Sequence, residues 1–244
     1  MTKKNGLIRM TFFAMMVAIG VVISPILRVE GMCPTAHLIN IVCSVMMGPV
    51  YSFLCALVIG IIRMMFMGIP PLALTGAIFG AFLSGVFYRL SRGRMIFAVV
   101  GEIIGTGIIG AMLSYPVMTF IMGRNGLSWM FYVPSFVCAT LIGGSVAFIF
   151  LKSLNKSGML IKMQAMLGSA VMEKPSDYRM DAVGIGCIGV ILYLVVLVVV
   201  KNVLHWTGMS VKLVPLLVLI GIELIAVIYF VIQFKSARAE KNGR

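Results

Sequence analysis

Three polar side chains that could recognise a small polar molecule lie between Cys33 and Arg63, in segments otherwise apolar enough for a lipid bilayer. His37 and Asn40 are three residues apart, so on a helix they share one face and can both offer directional hydrogen bonds. Arg63 stands inside an apolar run, where inserting an arginine costs about 2.5 to 3.5 kcal/mol unless it finds the interface or a partner. Ligand binding is predicted for all three. Helix capping or interhelical bonding for His37 and Asn40, and snorkelling for Arg63, are the structural alternatives.

A carboxylate and three aromatic rings complete the candidate set. Glu102 lies in the glycine-rich run GEIIGTGIIG, where a carboxylate is expected to be neutralised or paired. Its position suggests the cytoplasmic half of the membrane, so pairing or a conformational role competes with ligand contact. The three rings are those of Tyr115, Trp129 and Tyr132. They are predicted near the outer side of the membrane, away from Glu102, where aromatic rings can contact a ligand or anchor the protein at the membrane interface.

Composition determines the class of protein that must position these residues. Of the 244 residues, 61% are apolar and 11% charged, and the mean hydropathy is +1.11. Soluble domains stay near half apolar, so an integral membrane protein is predicted. Apolar runs of roughly 20 residues suit helices and not the alternating strands of a barrel. The expected fold class is an all-α polytopic membrane protein.

The net charge of +13 does not indicate a nucleic-acid partner, because the basic residues are spread along the gaps between apolar runs. The five cysteines are odd in number and show no CxxC spacing, so neither a metal site nor a disulfide framework is predicted.

Apolar runs separated by glycine, proline and charge predict eight helical segments. The first six are expected at about 7–27, 37–47, 50–67, 72–90, 95–122 and 128–151, with the second too short to span alone and turned into the third at Gly48-Pro49. Residues 182–203 and 211–234 form an appended transmembrane hairpin. The predicted division is therefore a six-helix domain at 1–154, a cytoplasmic and amphipathic linker at 155–181, and the hairpin with its basic tail at 182–244.

Counting basic residues predicts the orientation. With the N-terminus inside, the cytoplasmic ends collect 15 of the 20 Lys and Arg residues. The outside keeps only Arg28, Arg63, Arg124, Lys201 and Lys212. Both termini are then cytoplasmic in a multi-pass protein of the cell membrane, and the candidate residues other than Glu102 gather in a pocket open to the outside.

The sequence lacks the motifs expected of an enzyme or of a transporter that works without partner subunits. No GxxxxGK[ST], HExxH or GxSxG occurs, which argues against an enzyme and against ATP hydrolysis by this chain. No inverted repeat with two broken helices is apparent, so a self-sufficient secondary transporter is weakly supported. A substrate-binding subunit energised by partners fits best, with no cofactor in this chain.

Several motifs, ordered along six segments, carry a resemblance to a known family. They are Ala14-xxx-Ala18, PTAHLIN with Pro34, His37 and Asn40, MGPVY from Met47 to Tyr51, LVIGIIR ending at Arg63, Gly76 to Gly80, GEIIGTGIIG from Gly101 to Gly110, Tyr115-Pro116, and Tyr132-Val133-Pro134. Residues 9–154 thus resemble the substrate-binding S component of energy-coupling factor (ECF) vitamin importers. Specifically, they resemble the ThiW family, proposed to handle the thiazole precursor of thiamine.

The resemblance implies a six-helix S-component bundle that captures substrate outside and associates with a transmembrane coupling subunit and two cytoplasmic ATPases, which use the ATP. It implies that Ala14 and Ala18 meet the coupling subunit. Hydroxyethylthiazole is the expected substrate, with Trp129 and Tyr132 stacking on its ring. Two departures stand out: Ala36 occupies a position where glutamine is expected, and the hairpin exceeds the usual length of the family.

Other readings remain open. The bundle could serve another small vitamin, or the chain could be an autonomous permease that works without partners. In a third reading it is a membrane scaffold whose hairpin docks another protein.

Overall fold

A computed structural model of the chain describes residues 3–26, 33–171, 178–202 and 209–242. All regular structure in these residues is helical. The helices are α1 (Lys3–Ile23), α2 (Pro34–Met47), α3 (Pro49–Met67), α4 (Leu72–Leu90), α5 (Met95–Ile121), α6 (Val133–Lys156), α7 (Met159–Met166), α8 (Tyr178–Asn202) and α9 (Ser210–Asn242). They form two compact units, Met1–Lys174 and Pro175–Arg244.

Within the described residues, seven helices are long and apolar enough to cross a membrane, namely α1, α3, α4, α5, α6, α8 and α9. The prediction of an all-α polytopic membrane protein is therefore confirmed. Helix α2 is apolar but has only 14 residues, about 21 Å of helix against a hydrocarbon core of about 30 Å. It penetrates the bundle only part of the way.

The first unit alternates up and down between two ends, here called the Cys33 end and the Gly48 end. The Cys33 end holds the start of α2 and the last residues of α1, because the Thr35 hydroxyl donates to the Ile23 carbonyl at 3.1 Å. The Gly48 end holds the turn between α2 and α3 and the first part of α1, because the Arg9 guanidinium lies 5.0 Å from the ring centre of Tyr51. Chain direction then places the start of α6 at the Cys33 end and the start of α5 at the Gly48 end.

A single glycine makes the tight junction between α2 and α3. Gly48 has φ +92°, a left-handed value that side chains disfavour, and the Arg89 guanidinium occupies the space that a side chain would need. Pro49 follows at the first turn of α3, where its missing N–H costs nothing. The break occurs as predicted from Gly48-Pro49.

Helix α5 lies almost backbone to backbone on α4. A Cβ at Gly101 would come within 2.5 Å of the Leu83 carbonyl oxygen, and one at Gly105 within 2.5 Å of the Phe79 carbonyl oxygen. Small residues permit this close approach of membrane helices. The stretch Ile103–Gly110 is π-helical, a wider winding that often marks functional segments. These contacts fix the position of Glu102, the residue just before that stretch.

Helix α7 docks under the Gly48 end of the bundle. The Gln164 side-chain amide is buried and donates to the Val45 carbonyl at 2.9 Å and to the Tyr88 hydroxyl at 3.1 Å. The Arg9 guanidinium donates to the carbonyls of Leu167 at 2.6 Å and Gly168 at 2.7 Å. The first part of the segment predicted as a linker is therefore packed into the first unit; residues 172–177 of it lie outside the described residues.

The second unit is a hairpin of α8 and α9. Its helices pack closely at Gly186 and Gly189 of α8, where an added Cβ would lie 3.2 Å from a carboxylate oxygen of Glu223. The hairpin was predicted at 182–203 and 211–234, and α9 continues past that predicted end to Asn242.

The predicted start of the sixth helix is wrong. The sixth segment was expected to start near residue 128, but α6 begins at Val133. Trp129 and Tyr132 therefore lie in the turn before the helix. Pro134 explains the start, because proline is favoured in the first helical turn and cannot continue a preceding helix.

Candidate functional site

In the described part of the first unit, the buried polar side chains concentrate around one histidine and one glutamate. Nδ1 of His37 on α2 lies 2.9 Å from Oε1 of Glu102 on α5, and the two side chains are 8% and 0% exposed. A carboxylate held against one ring nitrogen selects the orientation of the imidazole and leaves Nε2 as its other hydrogen-bonding atom. The pair therefore holds Nε2 in a fixed direction for a hydrogen bond inside an apolar bundle.

Two further donors reach the same carboxylate oxygen. The side-chain amide of Asn40 donates to Oε1 at 3.0 Å, and the hydroxyl of Thr106 donates at 3.1 Å. Three side chains therefore converge on one carboxylate oxygen. The second oxygen, Oε2, is buried and has no hydrogen-bond partner in the described part of the chain. The Glu102 cluster, defined as His37, Asn40, Glu102 and Thr106, is therefore a polar centre with unused accepting capacity.

Hydrogen bonds made by Asn40 and its neighbours on α2 hold the Glu102 cluster in place. Asn40 also donates to the Ala77 carbonyl on α4 at 3.3 Å, and its own carbonyl accepts from the Ser52 hydroxyl on α3 at 2.9 Å. One turn along α2, the hydroxyls of Ser44 and Ser84 share a hydrogen bond of 2.8 Å. Side-chain hydrogen bonds therefore join helix α2 to α3, α4 and α5. Burying polar groups of this kind costs free energy unless they are hydrogen-bonded, as they are here.

The expectation that Glu102 lies apart from His37 and Asn40 is wrong. Asn40 stands seven residues before the end of α2 and Glu102 seven residues after the start of α5, and both of those helix ends belong to the Gly48 end. The two side chains are therefore at equal depth, about 10 Å from that end. Helix α2 is short, so its polar face lies in the middle of the bundle and not at an outer surface.

Arg63 is buried near the N-terminus of α2. It is 3% exposed, so snorkelling to the interface is not what it does. Its Nη2 lies 3.5 Å from Sγ of Cys33, the residue that precedes α2, and its Nε has no partner among the described residues. Cys33 is the residue before α2 and stands four residues before His37, so the guanidinium lies at the end of α2, about one helical turn from the imidazole along the helix axis.

The three predicted aromatic residues separate into two groups. Tyr115 and Trp129 face each other at the Cys33 end with ring centres 4.6 Å apart, and Trp129 is 54% exposed. Tyr132 is instead buried, with ring centres 5.0 Å from Phe131 and 5.9 Å from Phe136. Trp129 and Tyr132 therefore do not form one stacking surface, and the ring that faces Trp129 is Tyr115.

Ala14 and Ala18, the predicted contacts of a partner subunit, are both exposed on α1. The opposite side of that helix carries Phe12, Met16 and Val17, which are buried against the bundle. The alanines therefore lie on a free helix face of the first unit.

Sequence reasoning missed two polar residues. Thr106 follows Glu102 by four residues, so helical spacing alone places its hydroxyl on the same face. Gln164 had no such signal, because only docking of α7 reveals that it is buried. In the described part of the chain no group of three or more His, Cys, Asp or Glu side chains could hold a metal ion.

Comparison with known proteins identifies the family. The family model described as thiamine-precursor transporter protein (ThiW) matches residues 10–157, more than half of the chain. The match spans the helices that build the Glu102 cluster and ends just before α7. No curated protein and no solved structure matches. The chain therefore belongs to the ThiW family of thiamine-precursor transporter proteins.

Proposed function

We propose that this membrane protein binds the thiazole precursor of thiamine, hydroxyethylthiazole or a close relative, as the substrate-binding subunit of an ECF importer. The observation that carries the proposal is the buried Glu102 cluster inside the family-matched unit. Ligand sites are mostly apolar with a few placed polar groups, and this bundle interior has that character.

Each group of the site has a separate role in binding the substrate. Glu102 positions His37 by engaging Nδ1, so Nε2 is the atom that hydrogen-bonds with the substrate hydroxyl. The side-chain amide of Asn40 donates to the same carboxylate oxygen and to the Ala77 carbonyl. The Tyr115 and Trp129 rings supply aromatic faces for the thiazole at the Cys33 end.

The distribution of charge supports entry from the Cys33 end. Among the described residues of the first unit, the basic side chains collect at the Gly48 end: Arg9, Arg89, Arg92, Arg94, Lys152, Lys156 and Lys162. Within the same described residues, the basic side chains at the Cys33 end are Arg63 and Arg124. The positive-inside rule then makes the Gly48 end cytoplasmic and the Cys33 end external, in the cell membrane with both termini inside.

The proposed energy source lies in partner subunits. The chain carries no P-loop motif, so ATP would be hydrolysed by two cytoplasmic ATPases joined through a transmembrane coupling subunit. The exposed alanines of α1 support this arrangement, because small residues let a partner helix approach closely.

A binding measurement on the full chain tests the substrate. Protein purified in maltoside detergent is titrated with hydroxyethylthiazole, thiamine, the hydroxymethylpyrimidine precursor and riboflavin. Saturable binding of the thiazole, weakened in His37→Ala, is expected. Binding of another vitamin without the thiazole would show that the proposed substrate is wrong.

A further inference from the structure

Among the described residues, no acidic side chain lies against the buried guanidinium of Arg63. Arg63 is 3% exposed, and within the same residues its guanidinium donates to the thiol sulfur of Cys33 alone. Its Nε has no partner in the described part of the chain. An arginine carries its charge at all physiological pH values, and burying it without an anion is strongly unfavourable.

The charge cannot be supplied by the Glu102 cluster. Glu102 is the one acidic residue among the described residues of the first unit, and its Oε1 is bonded to His37, Asn40 and Thr106. No ion pair within 4 Å joins it to Arg63 in that part of the chain. Arg63 is therefore a separate positive centre.

The N-terminus of α2 adds to the same positive centre. Cys33 is the residue before the helix and makes no side-chain cap, and Pro34 occupies the first helical turn. The N-terminal end of a helix carries partial positive charge and attracts anions. The Nη2 contact to Cys33 brings the guanidinium to that end. A forked guanidinium beside a helix N-terminus matches the planar oxygens of a carboxylate or the oxygens of a phosphate.

We propose that Arg63 and the N-terminus of α2 form an anion subsite that holds a carboxylate or phosphate group of the substrate. The proposal rests on the proposed function and sharpens it, because it names an acidic thiazole as the preferred ligand over the neutral alcohol. Cys33 and His37 are four residues apart, so the subsite lies about one helical turn, on the order of 6 Å, from the imidazole along α2. A substituted five-membered ring is short enough to contact both.

The test compares three thiazoles on purified full chain in maltoside, in buffer free of phosphate. They are hydroxyethylthiazole, its phosphate monoester, and 4-methylthiazole-5-acetic acid. At least one anionic form is expected to bind about tenfold tighter than the alcohol or better, as bonds to charged groups allow. Arg63→Gln should lower the ratio of anion affinity to alcohol affinity to about one. The two anionic ligands distinguish a carboxylate subsite from a phosphate subsite.

The matched control is Arg124→Gln, which removes an exposed arginine at the same end and should keep the preference. Should Arg63→Gln fail to purify as a folded protein, Arg63→Met and Arg63→Lys replace it. Arg63→Met should be at least as resistant to heat as the wild type without ligand, because it removes an unpaired buried charge. Arg63→Lys should keep part of the preference.

The outcomes separate the two proposals. If the alcohol binds as tightly as both anions, or the preference survives in Arg63→Gln, the anion subsite is wrong and the proposed function stands. If no thiazole binds but inorganic phosphate or acetate raises the unfolding temperature of the wild type and not of Arg63→Gln, the proposed substrate is wrong and the subsite stands.

Discussion

Oε1 of Glu102 lies 2.9 Å from Nδ1 of His37, a contact between helices whose residues are 65 positions apart in the sequence. It ties the short helix α2 to the glycine-rich helix α5 at the centre of the bundle. The same contact sets which nitrogen of the imidazole is available, so the interior packing and the chemistry of the site depend on one carboxylate.

Replacing Glu102 should weaken substrate binding without unfolding the protein. Glu102→Gln keeps the shape but replaces charge-assisted bonds to His37 and Asn40 with neutral ones. We expect the Kd for the thiazole to rise by about tenfold or more, corresponding to about 1.5 kcal/mol, measured by calorimetry. Glu223→Gln makes the same chemical change in the hairpin and should leave the Kd unchanged. An unaltered Kd in Glu102→Gln would contradict the positioning role.

A methyl group at Gly80 should disturb the Glu102 cluster by overpacking. The Cβ of Gly80→Ala would overlap the Thr106 hydroxyl and lie 2.8 Å from the Glu102 carboxyl carbon. Overpacking costs about 1 to 3 kcal/mol, so the unfolding temperature in detergent should fall and thiazole binding should weaken. Gly6→Ala is the control, because no atom lies within 4 Å of its added Cβ. Equal stability of the two variants would show that the cluster tolerates displacement.

Loss of the Gln164 amide should release α7 from the Gly48 end. Gln164→Leu has similar volume but leaves the Val45 carbonyl without its donor in a buried position. An unsatisfied buried group costs about 1 to 3 kcal/mol. Hydrogen exchange in residues 159–168 should therefore become faster, as read by mass spectrometry. Met166→Leu, on the exposed side of α7, should exchange like the wild type; equal exchange in both variants would show that the Gln164 amide does not hold α7.

A bulky residue on the free face of α1 should separate binding from coupling. Ala14→Trp and Ala18→Trp place indoles on an exposed face, so the bundle and its thiazole affinity should be unchanged. Recovery of a co-expressed coupling subunit with the tagged chain should fall by about tenfold, because the close helix approach is blocked. Ile19→Trp is the control, because Ile19 is also exposed but lies about 100° or more around the helix from both alanines. Full recovery with both alanine variants would place the interface elsewhere.

The helices and their order could be predicted from local features. Apolar runs, Gly48-Pro49 and the proline before α4 gave most bounds within a few residues of those observed, because each depends on the side chains of one segment. The end of α9 is an exception, since that helix continues to Asn242. The shared face of His37 and Asn40 follows from helical spacing in the same way. The start of α6 was missed by a few residues, since aromatic residues alone do not show where a helix begins.

The sequence by itself determined the membrane class, the helix order, the family and most of the candidate residues. Only the tertiary structure decided that Glu102 joins His37 and Asn40, that Tyr132 is buried while Trp129 is exposed, and that Arg63 is buried with no acidic partner among the described residues. The physical reason is that local sequence does not determine how deep each side chain lies in the helix bundle. How far α2 penetrates and how closely α5 approaches α4 depend on packing between helices, and that packing sets which side chains meet across the bundle.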